Sequence, residues 1–203
     1  MKHVELDADN FTVRFQRPGV QLDLGAIGKG FALERATQIL RELGVTSALL
    51  HGGTSTVCAL GHPPDAPAWN VAIENPANAT ATVPRDNVSL PPSAPVLAIV
   101  ALCDTTLSVS AVWGKFFTAN GRTYGHVLDP RTGRPTRRAQ LAAVVLPSAT
   151  DSDAFSTALL TLGVPGLRQL IALRPEIKAL VACEGRAGKP ARIVTHNLAL
   201  PQS

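Results

Sequence analysis

The sequence predicts a mixed α/β domain, mostly antiparallel sheet with two principal helices packed against it, and three observations carry that expectation. Short runs that alternate apolar and polar residues, or are wholly apolar, recur along the chain with Gly, Pro, Asn or Asp between them, which is the pattern of strands joined by turns. Two stretches, Gly30 to Leu43 and Asp151 to Leu162, carry helical start and stop signals instead. The 203 residues are 45% hydrophobic and 17% charged, enough for a sizeable core, so residues 1–203 read as one domain. With only 4% aromatic residues, that core must be built mainly from Ala, Val and Leu.

In chain order, Val4 to Leu6, Phe11 to Phe15 and Val20 to Leu24 alternate and read as three short strands, separated by Asp9-Asn10 and Pro18-Gly19. The third runs into Asp23-Leu-Gly-Ala-Ile-Gly-Lys-Gly30, after which Phe31, Ala32, Ala36, Ile39, Leu40 and Leu43 recur at helical spacing and Gly44 supplies a stop. A glycine-rich turn into a helix N-terminus can offer backbone N–H groups to phosphate. Gly25, Gly28 and Gly30 can equally serve to let a helix pack close to a sheet, and the spacing is neither of the two common nucleotide fingerprints. Ser47 to Leu50 and Thr56 to Leu60 read as strands about the turn His51-Gly52-Gly53-Thr54-Ser55, where paired glycines suit either a ligand's close approach or a plain hairpin.

Trp69 to Ile73 is a further strand, residues 75–94 read as a long exposed loop, and the unbroken apolar run Val96 to Leu102 is expected to be buried on both faces. Asp104-Thr-Thr turns the chain into Leu107-Ser-Val-Ser-Ala111, which carries two hydroxyls at period two. Leu141 to Leu146 is a second buried strand. Ser148-Ala-Thr-Asp151 then fits a helix cap, and Gly163 and Pro165 stop the helix it opens. A short helix, Arg168 to Leu173, and a closing hairpin, Ile177 to Ala182 with Arg192 to Thr195, complete the chain.

Chemistry concentrates in Tyr124-Gly-His-Val-Leu-Asp-Pro-Arg-Thr-Gly133. Asp129 before Pro130 initiates a turn, because its side chain can accept from the backbone two residues on while proline fixes φ. His126 stands at the mouth of that turn, as a rigidly aimed functional histidine or as a satisfied core one. On the later helix Asp153 and Thr157 are four apart and share a face. They are hard oxygen donors of the kind Mg²⁺ accepts beside water and phosphate, or a dipole-favoured acid and a packed threonine.

The net charge of +4 comes from scattered basic residues whose densest cluster, Arg131, Arg134, Arg137 and Arg138, flanks the turn and suits a local anion site better than a nucleic-acid surface. Cys58, Cys103 and Cys183 lie singly within apolar runs and read as buried thiols, neither a disulfide framework nor a zinc site. No stretch of 18 apolar residues and no secretory leader is present, so the chain as written is expected to be cytoplasmic and not an integral membrane protein. A truncated form would be placed at the periplasm or membrane.

Four pieces, Asp23 to Gly30, Gly52-Gly53, His126 to Gly133 and Asp153 to Leu159, resemble in order and spacing the ApbE family of flavin transferases, also called FAD:protein FMN transferases. The resemblance implies an ApbE-like domain whose N-terminal part, with a Gly-x-Phe-Asp segment of the flavin pocket, has no counterpart here. It departs at Val109-Ser110-Ala111, where the family has Thr-Ser-Gly, and at Leu50, where an Asn commonly precedes the double glycine. The implied reaction splits FAD, the substrate, at its pyrophosphate and transfers FMN to a Thr or Ser hydroxyl of an acceptor protein, releasing AMP with Mg²⁺ as cofactor. The resemblance assigns the metal to Asp153, Thr157 and the carbonyl of Ala26, the general base to His126, and flavin-nucleotide contacts to Asp23, Lys29 and Leu128, with Gly52 and Gly53 at the nucleotide turn. The alternative that it leaves open is a non-catalytic FAD- or nucleotide-binding module. No nucleic-acid partner is expected.

Overall fold

A computed structural model describes residues 3–76, 96–113, 116–119, 122–183 and 192–200, so most of the expected loop at 75–94 lies outside the described residues. The chain opens with an antiparallel hairpin, β1 (Val4–Asp7) and β2 (Thr12–Phe15). The third expected strand does not form. Val20 to Leu24 is irregular, with Leu22 and Leu24 exposed, because Asp23 turns the chain by accepting from the Gly25 amide at 2.7 Å.

Helix α1 (Gly28–Glu42) follows. Its C-terminus closes as the glycine signal predicts. Gly44 has φ +81°, its amide donates to the Arg41 carbonyl, and the Val45 amide reaches back to Leu40, the paired bonds of a Schellman motif. The buried stripe of α1 is Gly30, Leu33 and Thr37, whereas Phe31, Ile39 and Leu43 are exposed. The apolar count alone points to the wrong face, since what rotates the helix is the contact at Gly30 described below.

Six strands form one antiparallel sheet in the order β14-β13-β12-β7-β4-β3. They are β3 (Ala48–Gly52), β4 (Thr56–Leu60), β7 (Thr106–Ala111), β12 (Leu141–Leu146), β13 (Lys178–Cys183) and β14 (Arg192–His196). The hairpin of β5 (Trp69–Glu74) and β6 (Val96–Leu102) covers one face. Helices α2 (Ala149–Leu162) and α3 (Val164–Leu173) cover the other.

β12 shows why the sheet is so apolar. Leu141, Ala143 and Val145 pack toward Ile73, Val100 and Leu102, while Ala142, Val144 and Leu146 meet Leu159, Leu160, Leu167 and Leu170. Burying each Val or Leu contributes about 1.5–3 kcal/mol, so a strand covered on both sides favours apolar residues wherever no hydrogen-bond partner faces it. β6 is less enclosed than its composition predicts. It hydrogen-bonds only to β5 among the described strands, and Ile99 is 58% exposed, because it lies on the face turned away from the large sheet.

Two short hairpins complete the architecture: β8 (Phe116–Ala119) with β9 (Arg122–Gly125), and β10 (Leu128–Asp129) with β11 (Arg134–Pro135). Of the thiols only Cys58 is buried, against the Thr37 hydroxyl. Cys103 is exposed, and burial pushes the half-buried Cys183 thiol up. The expected mixed α/β fold is thus present, with the two principal helices and the expected short one, which begins at Val164, four residues before Arg168. None of these helices is long and apolar enough to cross a membrane.

Candidate functional site

The first turns of α1 and α2 meet at Gly30. A Cβ there would lie 2.2 Å from the Ala149 carbonyl oxygen and 2.8 Å from Asp153 Cβ, so only glycine permits the approach. The contact is polar at its centre, where the Gly30 amide donates to Asp153 Oδ2 at 2.9 Å. Asp153 is 2% exposed, and Lys29 Nζ stands 3.4 Å from its Oδ1. A position expected to be partly exposed in a first helical turn is instead a buried carboxylate, because the neighbouring helix closes over it.

Glu34 locks the same junction from the other side. Its Oε2 accepts from the Ser148 hydroxyl at 3.0 Å, the Thr150 amide at 2.8 Å and the Thr150 hydroxyl at 2.6 Å, while Ser148 caps α2 through the Asp151 amide. Burial pushes the Glu34 carboxyl up, but the donors from Thr150 and Ser148 outweigh it and hold the group below the usual range.

The two hydroxyls at period two on β7 face α2. Ser108 donates to Asp153 Oδ1 at 3.3 Å, and Ser110 lies 2.8 Å from the Ser156 hydroxyl and 3.0 Å from that of Thr157. Thr56 and Ser156 join Ser108 at 3.0 and 3.3 Å. Strand period two thus meets helix spacing i, i+3, i+4 in a single polar seam inside an otherwise apolar sheet-helix interface. Next to α1, Gly52 ends β3 against Leu33 and the Cβ of Lys29, and Gly53 turns with φ +70°.

His126 is exposed one residue beyond β9, and Leu128 is 55% exposed in β10. The turn that carries them is built as expected. The Asp129 carbonyl accepts from Thr132 and Gly133, whose φ is +66°, and its side chain accepts from the Arg131 amide at 2.9 Å. Arg131 then grips the carboxylate twice, through Nε at 2.8 Å and Nη2 at 2.6 Å. Nη2 also reaches the Thr161 carbonyl at 3.3 Å and the Thr136 hydroxyl donates to that of Leu160, which pins the turn to the C-terminal end of α2.

These bonds from Arg131 hold the Asp129 carboxyl down at about 2. A free aspartate titrates near 4, so the depressed value means that the pair stabilises the fold above about pH 4 and that this contribution is lost as pH falls through about 2. We predict that Asp129→Asn lowers the melting temperature at neutral pH and that its gap to the parent closes between about pH 4 and pH 2. Melting curves across that range test it, and a gap independent of pH would remove the ion pair from the turn's stability.

With this geometry in place, the model of the ApbE family matches residues 1–181. The chain belongs to the ApbE family. Among named relatives, the FAD:protein FMN transferase of Treponema pallidum is 32% identical over 177 residues, covering 83% of this chain and 45% of that protein. That of Rhodobacter capsulatus is 35% identical over 162 residues, 80% of this chain and 28% of the relative. The crystal structure of the ApbE protein of Thermotoga maritima superposes with a TM-score of 0.75 at 26% identity, over 97% of this chain and 57% of that one. The apo flavinyl transferase ApbE of Pseudomonas stutzeri gives 0.68 at 28%, over 96% and 54%. The chain therefore spans about half or less of the length of these ApbE relatives.

Of the residues that the ApbE resemblance singles out, Lys29, Gly52, Asp153 and Thr157 are gathered around the α1–α2 junction and the β7 seam. Ala26 is half-buried in the turn entering α1, and Asp23 is exposed beside it. His126 and Leu128 ride on the turn bonded to the other end of α2. Sequence reasoning missed the roles of Glu34, Ser108, Ser110 and Ser156. The period-two serines were the available signal, since a strand facing a helix bearing Asp153 and Thr157 must present hydroxyls or leave a carboxylate unpaired.

The implied Mg²⁺ can be tested against this donor set. Among the described residues no group of three or more His, Cys, Asp or Glu side chains converges, which removes a cage built from such ligands there. Mg²⁺ is commonly held by one or two carboxylates together with phosphate oxygens and water. Asp153 fits that mode, because among the described residues its Oδ1 has only the long contacts at 3.3 and 3.4 Å, and the counter-charge, Lys29, is 43% exposed and displaceable.

Proposed function

We propose that this chain transfers the FMN half of FAD to a Thr or Ser hydroxyl of an acceptor protein, releasing AMP, with Mg²⁺ bound at Asp153, Thr157 and the Ala26 carbonyl. The observation that carries the proposal is the buried Asp153 carboxylate, weakly engaged at Oδ1 and set at the N-terminal end of α1, in a family with relatives named FAD:protein FMN transferase. When bound, the metal neutralises pyrophosphate charge. Lys29 adds a cation beside it, and the helix N-terminus adds the partial positive charge of its amides. Gly52 and Gly53 leave backbone open to the nucleotide, while Asp23 and Leu128 flank the flavin-nucleotide path.

In the transfer itself the acceptor oxygen attacks the FMN phosphorus, the bridging P–O bond breaks, and AMP leaves with the bridging oxygen. His126 takes the hydroxyl proton, as a base on a rigid turn and in contact with solvent can. Phosphoryl transfer asks a protein mainly for position and charge, which a pinned turn and a fixed helix junction supply.

A non-catalytic FAD- or nucleotide-binding module is the second reading. One observation favours it: Asp153 accepts from the Gly30 amide and Thr157 shares a hydrogen bond with Ser110, so both side chains have protein partners. Incubation with FAD, Mg²⁺ and an acceptor polypeptide separates the two readings. In-gel flavin fluorescence together with stoichiometric AMP release is the expected result. Saturable FAD binding with neither signal, from folded protein, would establish the module instead.

A further inference from the structure

Beside the His126 turn lies a cleft of about 590 Å³, bounded by Tyr124, Asp129, Arg134, Thr136, Arg137 and Arg138 among others. Its charge is lopsided. Asp129 is the acid in the lining, and it is consumed by the two-pronged grip of Arg131. Arg134, Arg137 and Arg138 are exposed, and among the described residues no carboxylate lies within ion-pair distance of any of them.

The backbone that carries Arg137 and Arg138 is also anchored. The Thr136 amide bonds to the Val127 carbonyl at 2.9 Å and its hydroxyl to Leu160, which anchors the segment preceding Arg137. Gly163, at φ +65°, lets the chain pass so close to Arg138 that a Cβ there would sit 3.0 Å from Arg138 Cβ. A concave, cationic and fixed surface is one that draws and orients an anion, since a cleft focuses field and arginine presents a planar fork to carboxylates.

From this we infer that the cleft is a docking subsite for acidic side chains of the acceptor polypeptide, close to the hydroxyl that is modified. The inference rests on the proposed transfer reaction, but the placement of the cleft selects its ligand. It adjoins the turn carrying His126, which would receive the acceptor's proton. It is pinned through Leu160 and Thr161 at one end of α2, whereas Asp153 lies eight residues away, about 12 Å along the helix axis. An anion in the cleft thus sits on the acceptor's side of the reaction and not with the pyrophosphate.

The test uses a fluorescein-labelled peptide rich in Asp and Glu with one central Thr, compared by anisotropy with its Asn/Gln counterpart. The parent is expected to bind the acidic peptide at least about tenfold tighter than the neutral one, with the difference shrinking as salt rises. R137E/R138E should abolish that preference while its FAD titration stays with the parent's. R14E/R17E, which makes the same charge change on and just beyond the β2 hairpin, should keep the preference. Equal losses in the two double variants would reduce the effect to net charge and overturn the subsite. Displacement of the peptide by AMP, with weaker FAD binding in R137E/R138E, would hand the cleft to the nucleotide and likewise overturn it. Because the peptide is read without FAD turnover, a failed transfer assay leaves this result standing on its own.

Discussion

Asp153→Ala is expected to lose both stability and Mg²⁺-dependent FAD binding. Removing the carboxylate strands the buried Gly30 amide, a loss on the order of 1–3 kcal/mol in a fold whose whole margin is about 5–15 kcal/mol. It also leaves Ser108 without its acceptor on α2. The two effects need separating, and Asp153→Asn does so, because the amide oxygen can still accept from Gly30 while the charge is gone. We predict that Asp153→Asn melts close to the parent yet binds FAD in Mg²⁺ about 10- to 100-fold more weakly, the equivalent of a charged interaction of roughly 1.5–3 kcal/mol. Calorimetry with and without Mg²⁺ reads it. Should Asp153→Asn bind FAD as the parent does, with the same response to Mg²⁺, the carboxylate is a strut between helices and not a metal ligand.

His126→Ala carries the largest expected kinetic effect. If the imidazole accepts the acceptor's proton in the transition state, its removal costs on the order of 10²- to 10⁴-fold in transfer rate, with FAD affinity within a few-fold of the parent. Exposure sharpens the test. A core histidine would announce itself by a lower melting temperature, whereas an exposed side chain at the end of β9 should leave the melt nearly unchanged. A variant that transfers as fast as the parent would leave His126 with no part in the chemistry.

The two predictions draw on different ends of α2, and that separation shows what the chain's order could tell. Much that neighbours in sequence govern was legible, although the Asp23 turn, which replaces an expected strand, was not. The Schellman stop at Gly44, the Ser148 cap, the side-chain bond from Asp129 to the Arg131 amide and the double burial of β12 all follow from residues within a few positions of one another. The four motifs, read together, gave the family for the same reason. The hairpin at Gly52-Gly53 and the alternation that sends Ser108 and Ser110 to one face are local rules too.

What tertiary structure alone decided was burial and rotation. Asp153 sits where helix rules expect partial exposure, and it is enclosed because α1 crosses it at a residue with no side chain. α1 turns its Gly30-Leu33-Thr37 stripe inward and leaves Phe31 outside, since a close backbone approach at one position outweighs the count of apolar residues on another face. Ile99 is exposed within an apolar run because it lies on the face of β6 turned away from the large sheet. Val20 to Leu24 stays irregular since alternation cannot supply a partner strand. The burial of Asp153, the rotation of α1 and the exposure of Ile99 depend on contacts between segments tens to more than a hundred residues apart, such as the 123 positions between Gly30 and Asp153, and no window along the sequence contains both sides of such a contact.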